Sequence, residues 1–399
     1  MNLSLKISIC VLALAAVGCT KPFDTESFDF DKVIVVDGQI TDEDKFHEIL
    51  LSYTYPIGED QESPLTGATV WVENGAGQRI DYEELEPGKY LSTISFAGQA
   101  GQAYRLFFTT PAGGKYASTS SELIPSPPID SIYAEYAVVS TDESTFALDG
   151  AQFFIDSHDE TQEAKYFRYE WVEDYKISVP FPSFYEYFFD LGTQWDSTAM
   201  RLPDDFVHIC YQSGTSASII IGTSVGTSEN RVVEQPVNFV STETDRLRTR
   251  YALQVMQYAV NESAYGFYRK LKESNESTGS LFDKQQGTIT GNILSLDNPT
   301  ETILGFFEVA GVSSKRRFFS PTDIDVRIAP QFRYRCPSSS IVDSSRDSLL
   351  YYLASSPSLR IVTAYTPTAS DEFRYQIASQ TCSDCSWYAT TTPPEYWEN

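Results

Sequence analysis

Apolar and polar residues alternate with a period of two along much of this chain. "KVIVVDGQIT" from Lys32 runs apolar and then alternates, and "HEILLSYTY" from His47 does the same. "ATVWVENGAGQ" sets Val70 and Val72 on one face before a glycine-rich turn. A half-buried strand requires this period, because successive side chains leave opposite faces of a sheet. "GKYLSTIS" follows the turn residues Glu86-Pro87-Gly88, "AYRLFFTT" ends at Pro111 and Gly113-Gly114, and "KYASTSSEL" closes the set. Short strands recurring roughly every ten residues predict a β-sandwich of about seven strands over 32–124. The expected type is immunoglobulin-like or transthyretin-like.

"IPSPPIDS" interrupts the pattern, and its three prolines cannot join a ladder, so 125–130 reads as a stiff linker. A second and larger β domain is expected over 131–320, beginning with "SIYAEYAVV". One inserted helix is predicted near 261–275. Asn261 caps it, Glu262 lies in its first turn, Ala264, Tyr268 and Leu271 share a face, and Lys270 and Lys272 sit near its end. Between two strands of this domain, "PFPSFYEYFFDLGTQWDS" reads as a loop dense in rings. From 321 to 399 the chain is Ser- and Pro-rich and is expected to be a Cys-containing extension packed on the second domain, with "DSLLYYLA" a short helix.

Composition sharpens the picture. With 25 Tyr and 25 Phe against 3 Met, the apolar residues are those that suit a pleated surface. A chain of 399 residues exceeds what one core usually serves, in line with two sandwich-type domains. The net charge of −26 is repelled by phosphate backbones, which argues against nucleic acid as a partner.

The first residues follow a different logic. Met1 to Lys6 carries one cation, Ile7 to Val17 is apolar or small apart from Ser8, and Gly18-Cys19 follows. This is the layout of an export signal, and the run is too short to span a bilayer as a helix. Ala16-Val17-Gly18-Cys19 resembles the bacterial lipobox, with alanine where leucine is commoner. Residues 1–18 are then a lipoprotein signal peptide, Cys19 carries diacylglycerol and palmitate into a membrane, and 19–31 forms an acidic tether. Losing residues 1–18 removes one lysine and no acid, so the mature chain is one unit more negative.

The remaining cysteines, Cys210, Cys336, Cys382 and Cys385, are an even set in an exported chain and are candidates for disulfides, with three pairings open. "TCSDCSWY" alone does not make a zinc or redox centre, since no second ligand pair or βαβ setting accompanies it. "GTSVG", Gly222 to Gly226, fits the G-x-S-x-G pattern of a nucleophilic serine. However, no helix-forming run follows Ser224, and His47, His158 and His208 all precede it. No metal motif is present, and calcium held by loop carboxylates is the one cofactor the acidic composition allows. The rings Phe181, Phe184, Tyr185, Tyr187, Phe188, Phe189 and Trp195 form a candidate binding loop for a sugar, a peptide or a partner protein, or else fill the space between the domains.

Several segments together resemble a known family. They are "VIVVDGQIT", "PLTGATVWVEN", "PGKYLS", "GKYASTSSELIPSPPIDSIY", "NESTGSLFDKQQGTITGNI", "NPTETILGFFEVAGVSSKRRFF" and the terminal "CSDC" before "TTTPPEYW". The chain is similar to the Bacteroidota outer-membrane lipoproteins catalogued only as a domain of unknown function, which tend to be encoded beside TonB-dependent transporters. The resemblance implies a lipid-anchored place at the outer membrane, possible exposure at the cell surface, and no established catalytic residues. The expectation is a non-catalytic accessory that binds such a transporter or its cargo. A structural or adhesive envelope protein recognising glycans or surface proteins is the alternative, and a hydrolase using unidentified carboxylates the third.

Overall fold

The computed structural model describes residues 32–55, 63–140, 147–190, 195–202, 207–227, 229–276, 289–325, 329–336, 342–356, 358–365, 368 and 374–397. Residues 1–18, expected to be a signal peptide, Cys19 and the expected tether over 19–31 lie outside the described residues.

The fold is mainly β. In chain order the strands of the first unit are β1 (Ile34–Thr41), β2 (Glu48–Tyr53), β3 (Ser63–Pro64), β4 (Thr69–Asn74), β5 (Arg79–Glu86), β6 (Lys89–Ser92), β7 (Ala103–Thr109), β8 (Lys115–Ser118) and β9 (Ser121–Glu122). Alternation places their apolar residues as expected. Val70 and Val72 of β4 face Phe108 and Leu106 of β7 in register, all four buried. The second unit contributes β10 (Ile129–Ser140), β11 (Ala147–His158), β12 (Tyr166–Ser178), β13 (Tyr185–Asp190), β14 (Trp195–Met200), β15 (Ile209–Thr215), β16 (Ile220–Thr223), β17 (Arg231–Ser241) and β18 (Tyr251–Val260). Helix α1 (Glu262–Glu276) follows, then β19 (Ile293–Ser295), β20 (Leu304–Phe319), β21 (Val342–Ser345), α2 (Arg346–Ser355), β22 (Leu359–Tyr365) and β23 (Arg374–Ser379). The helix starts where its cap predicts: Asn261 Oδ1 accepts from the backbone N–H of Ala264 at 2.8 Å.

The expected division at 125–130 is crossed by the chain itself. Residues 304–310 of β20 pair in parallel with β1, and residues 311–319 pair antiparallel with β18. One strand thus belongs to both units. The first unit is completed by late residues: Ile293, Ile303, Phe307 and Val309 lie in its core. Its sheet runs β20-β1-β2-β6-β5-β4-β7-β8-β19, and Asn292 joins the two ends. The Asn292 amide donates to the Phe307 carbonyl at 2.8 Å and accepts the Phe307 N–H at 2.9 Å, standing in for a missing strand neighbour. Gly305 is required here, since it has φ +89 and a Cβ on it would lie 1.8 Å from the Val36 carbonyl oxygen.

The proline-rich segment is packed rather than spanning solvent. Gly311 N–H donates to the Ile124 carbonyl at 2.9 Å, and Ser126 Oγ donates to the Gln257 carbonyl at 2.9 Å. Prolines leave carbonyl acceptors without matching N–H donors, and Gln257 and Ser313 reach the Pro127 carbonyl at 2.8 and 2.7 Å.

In the second unit, the sheet β10-β11-β17 faces β12, β18 and the later half of β20. Phe153 is the hinge of this core, with ring centroids 5.1 Å from both Tyr251 and Phe319. The ring-dense segment expected as a loop is the hairpin β13–β14. It pairs with β22, giving the sheet β14-β13-β22-β23-β21, with α2 laid against it over Leu349, Ile361, Tyr375 and Ile377. The C-terminal extension therefore builds a third small unit with that hairpin, in addition to touching the second domain.

Candidate functional site

The four cysteines pair as Cys210–Cys385 and Cys336–Cys382. Cys210 lies on β15 of the second unit, and Cys382 and Cys385 lie in two short 3-10 turns just after β23. Between them, Phe181 N–H donates to the Cys382 carbonyl at 3.0 Å, so the base of the hairpin is held at the same place as the staples. Tyr185 packs on the core of the small unit, while Phe184 and Phe188 are 39% and 50% exposed. Tyr187, Phe189 and Trp195 lie in the hairpin strands, with their side chains outside the described residues. Met200, at the end of the edge strand β14, and the nearby Leu202 are also exposed. Of the rings whose side chains are described on this hairpin, Tyr185 thus joins the core of the small sheet, and Phe184 and Phe188 stand exposed on it.

Ser224 has no catalytic setting. It is 2% exposed, and its hydroxyl donates to Asn230 Oδ1. Asn230 Nδ2 in turn reaches Asp159 and the Ala164 carbonyl, at 3.1 and 2.9 Å. No histidine takes part in that network. His208 is excluded by register: Ile209 opposes Ser178 at one end of β12, and Thr223 opposes Tyr166 at the other. That is roughly 40 Å of strand at about 3.3 Å per residue. Gly226, at φ +92, makes the turn after Ser224, which accounts for the second glycine of the pattern. Among the described residues no group of three or more His, Cys, Asp or Glu is placed to hold a metal ion.

The strongest electrostatic feature is one that sequence reasoning missed. Glu308, 1% exposed on the shared strand β20, accepts from Arg168 Nε and Nη2 of β12 at 3.0 and 2.8 Å and from Gln39 Nε2 of β1 at 2.6 Å. Tyr268 of α1 also bonds to it. Burial pushes the Glu308 carboxyl up, but Arg168 and the hydrogen bonds from Arg168, Gln39 and Tyr268 outweigh it and hold the group below its ordinary range. Burial likewise works against the Arg168 charge, and Glu308 more than restores it. The Arg168 guanidinium stacks on the Tyr258 and Tyr268 rings at 4.3 and 5.3 Å and also pairs with Glu170. This cluster uses β1, β12, β18, β20 and α1 at once. It is a lock between the first two units rather than a reaction centre, because every strong donor is already committed.

A family model described as a domain of unknown function, DUF4249, matches residues 20–316, most of the chain. The chain belongs to this family. No curated protein matches it. The DUF4249 match covers both larger units and the β13–β14 hairpin, and it ends inside β20. Cys210 therefore lies within the DUF4249 region, and its partner Cys385 lies beyond it.

Proposed function

We propose that this protein is a non-catalytic accessory of a TonB-dependent outer-membrane transporter, anchored through a lipid on Cys19 and binding the transporter or its cargo. One observation carries the reading: the hairpin β13–β14, where Phe188 on β13 and Met200 at the end of the edge strand β14 stand 50% and 68% exposed on a small sheet stapled by two disulfides. Exposed rings and Met at a sheet edge are the material of a protein-docking face, offering both apolar contact and unpaired backbone groups. The lipobox-like Ala16-Val17-Gly18-Cys19 supports the anchor, and the buried Ser224 hydroxyl, bonded to Asn230, speaks against a serine nucleophile at the G-x-S-x-G sequence.

The test is affinity capture of the full, tagged chain from native outer membranes in mild detergent, read by mass spectrometry. A TonB-dependent transporter is expected to be retained, and to be lost when Phe188 and Met200 are both replaced by alanine. Equal recovery with that variant, or capture without any transporter, would overturn the reading and favour a structural or adhesive envelope role. Labelling with a palmitate analogue should mark the wild type and miss Cys19→Ser.

A further inference from the structure

The second unit has an open side. There β17 ends one sheet and the line of β15 and β16 ends the other, with a groove of about 470 Å³ between them. We propose that this groove binds a neutral, hydroxyl-rich ligand, an oligosaccharide. The site is independent of any transporter contact, so its failure would leave that reading untouched.

Both walls are irregular at the same level. β15 and β16 pair with consecutive lengths of β12 and are broken by Ser216–Ile219, three of whose residues line the groove. Opposite, the pairing of β17 with β11 shifts on both sides of Gln235 and Pro236, and the preceding residue, Glu234, takes φ +53. A non-glycine residue in the left-handed region and two interrupted ladders are devices that re-aim side chains, and they gather beside binding sites.

What they aim is shaped by two glycines. A Cβ at Gly222 would stand 2.3 Å from Gln235 Oε1, and one at Gly150 would stand 2.5 Å from the Phe239 ring. The absence of those carbons lets Gln235 lie across β16 and the Phe239 ring lie across β11, both at the groove.

Hydrogen-bond accounting then gives the ligand its chemistry. Gln152 Nε2 donates to the Asn238 carbonyl at 3.0 Å, Gln235 Nε2 to the Pro236 carbonyl at 3.0 Å, and Asn238 Nδ2 to Tyr251 Oη at 2.9 Å. Gln152 and Asn238 each commit both amide N–H groups to the protein, through further bonds to the Phe153 carbonyl at 3.3 Å and Glu173 Oε2 at 3.4 Å, and Gln235 commits one of its two. Among the described residues no donor reaches Gln152 Oε1, Gln235 Oε1 or Asn238 Oδ1, so the lining offers these acceptors beside the Ser218 hydroxyl and the Asn275 amide. The matching ligand brings groups that both donate and accept, as sugar hydroxyls do. Charge selects against an ion, since Lys272 and Glu276 at the rim face each other at 3.9 Å and nearly cancel. Phe239 and Pro236 supply the apolar surface on which the C–H face of a sugar ring rests.

The full chain in detergent micelles should be screened on a glycan array, followed by calorimetric titration with maltohexaose, cellohexaose and mannohexaose. At least one neutral oligosaccharide is expected to bind, and Gln235→Ala and Phe239→Ala should each weaken it by about tenfold, the worth of one neutral contact. Both variants should melt with the wild type; if either does not, hydrogen exchange of the wild type decides instead. Added probe should then slow exchange at residues 216–219 and along β17. Retention of only sialylated or sulfated glycans, absence of any neutral hit, binding unchanged in both variants, or protection elsewhere would each overturn the proposal.

Discussion

Removing the charge of Glu308 is the sharpest test of how the first two units are joined. Its carboxylate takes two bonds from Arg168 and one each from Gln39 and Tyr268, and its side chain is 2% exposed. Breaking a buried pair by deleting one partner costs about 3–5 kcal/mol, because the other charge is left in the interior. Glu170 still pairs with Arg168, and its side chain is 43% exposed, so Glu308→Gln should fall near the lower end, about 3 kcal/mol. Removing both charges in Arg168→Met with Glu308→Leu should cost less than either single change. The readout is the urea midpoint at constant slope for each variant, which separates stability from compactness. The pH dependence follows from the lowered folded value. The Glu308 contribution is complete above its ordinary 4.5 and is lost as pH falls through the lower folded value. The gap between wild type and Glu308→Gln should therefore be widest near neutrality and close in acid. A cost below about 0.5 kcal/mol, the size of an ordinary surface change, or a gap that widens in acid, would refute the lock.

Further outcomes follow from other parts of the fold. Replacing Cys210 and Cys385 by serine opens a loop of 175 residues, worth at most about 5 kcal/mol in chain entropy; limited proteolysis should release fragments of the C-terminal unit first, and unchanged fragmentation would count against the staple. Gly305→Ala should abolish soluble protein, since its Cβ meets the Val36 carbonyl, whereas Gly266→Ala, with open space in α1, should raise stability by about 0.5–1 kcal/mol in thermal melts. A fluorophosphonate probe should leave Ser224 unlabelled in the native protein, and labelling lost in Ser224→Ala would restore the nucleophilic reading of that serine.

Local patterning carried the strands of the first two units and both helices, though not those of the small C-terminal sheet, because alternation, caps and turn residues are written within a few positions of one another. Val70, Val72 and the Asn261 cap lie where that reasoning puts them. Long-range pairing left no such mark. Nothing in "GFFEVAGVSSKRRFF" announces that its first half lies beside β1 and its second beside β18, because a buried strand reads alike whichever neighbour it takes. Glu308 escaped notice for the same reason, as one acid among 55 until the fold brings Arg168 to it. The prolines around 180–182 made the ring-rich stretch look like a loop, while its pairing strand, β22, lies far along the chain. The cysteines were legible as a set, and their partners became definite only with the fold.

The shared strand also dictates an order of events. β1 is among the first strands to be made, yet one of its two neighbours follows much later: Gln39 and Glu308 are 269 residues apart. Until β20 appears, the first sheet has an open flank beside β1 and no join at Asn292. Such distant pairings make a chain slow to fold and sticky while it waits. A protein built this way gains from a holding chaperone until β20 is in place, and it cannot mature one bead at a time.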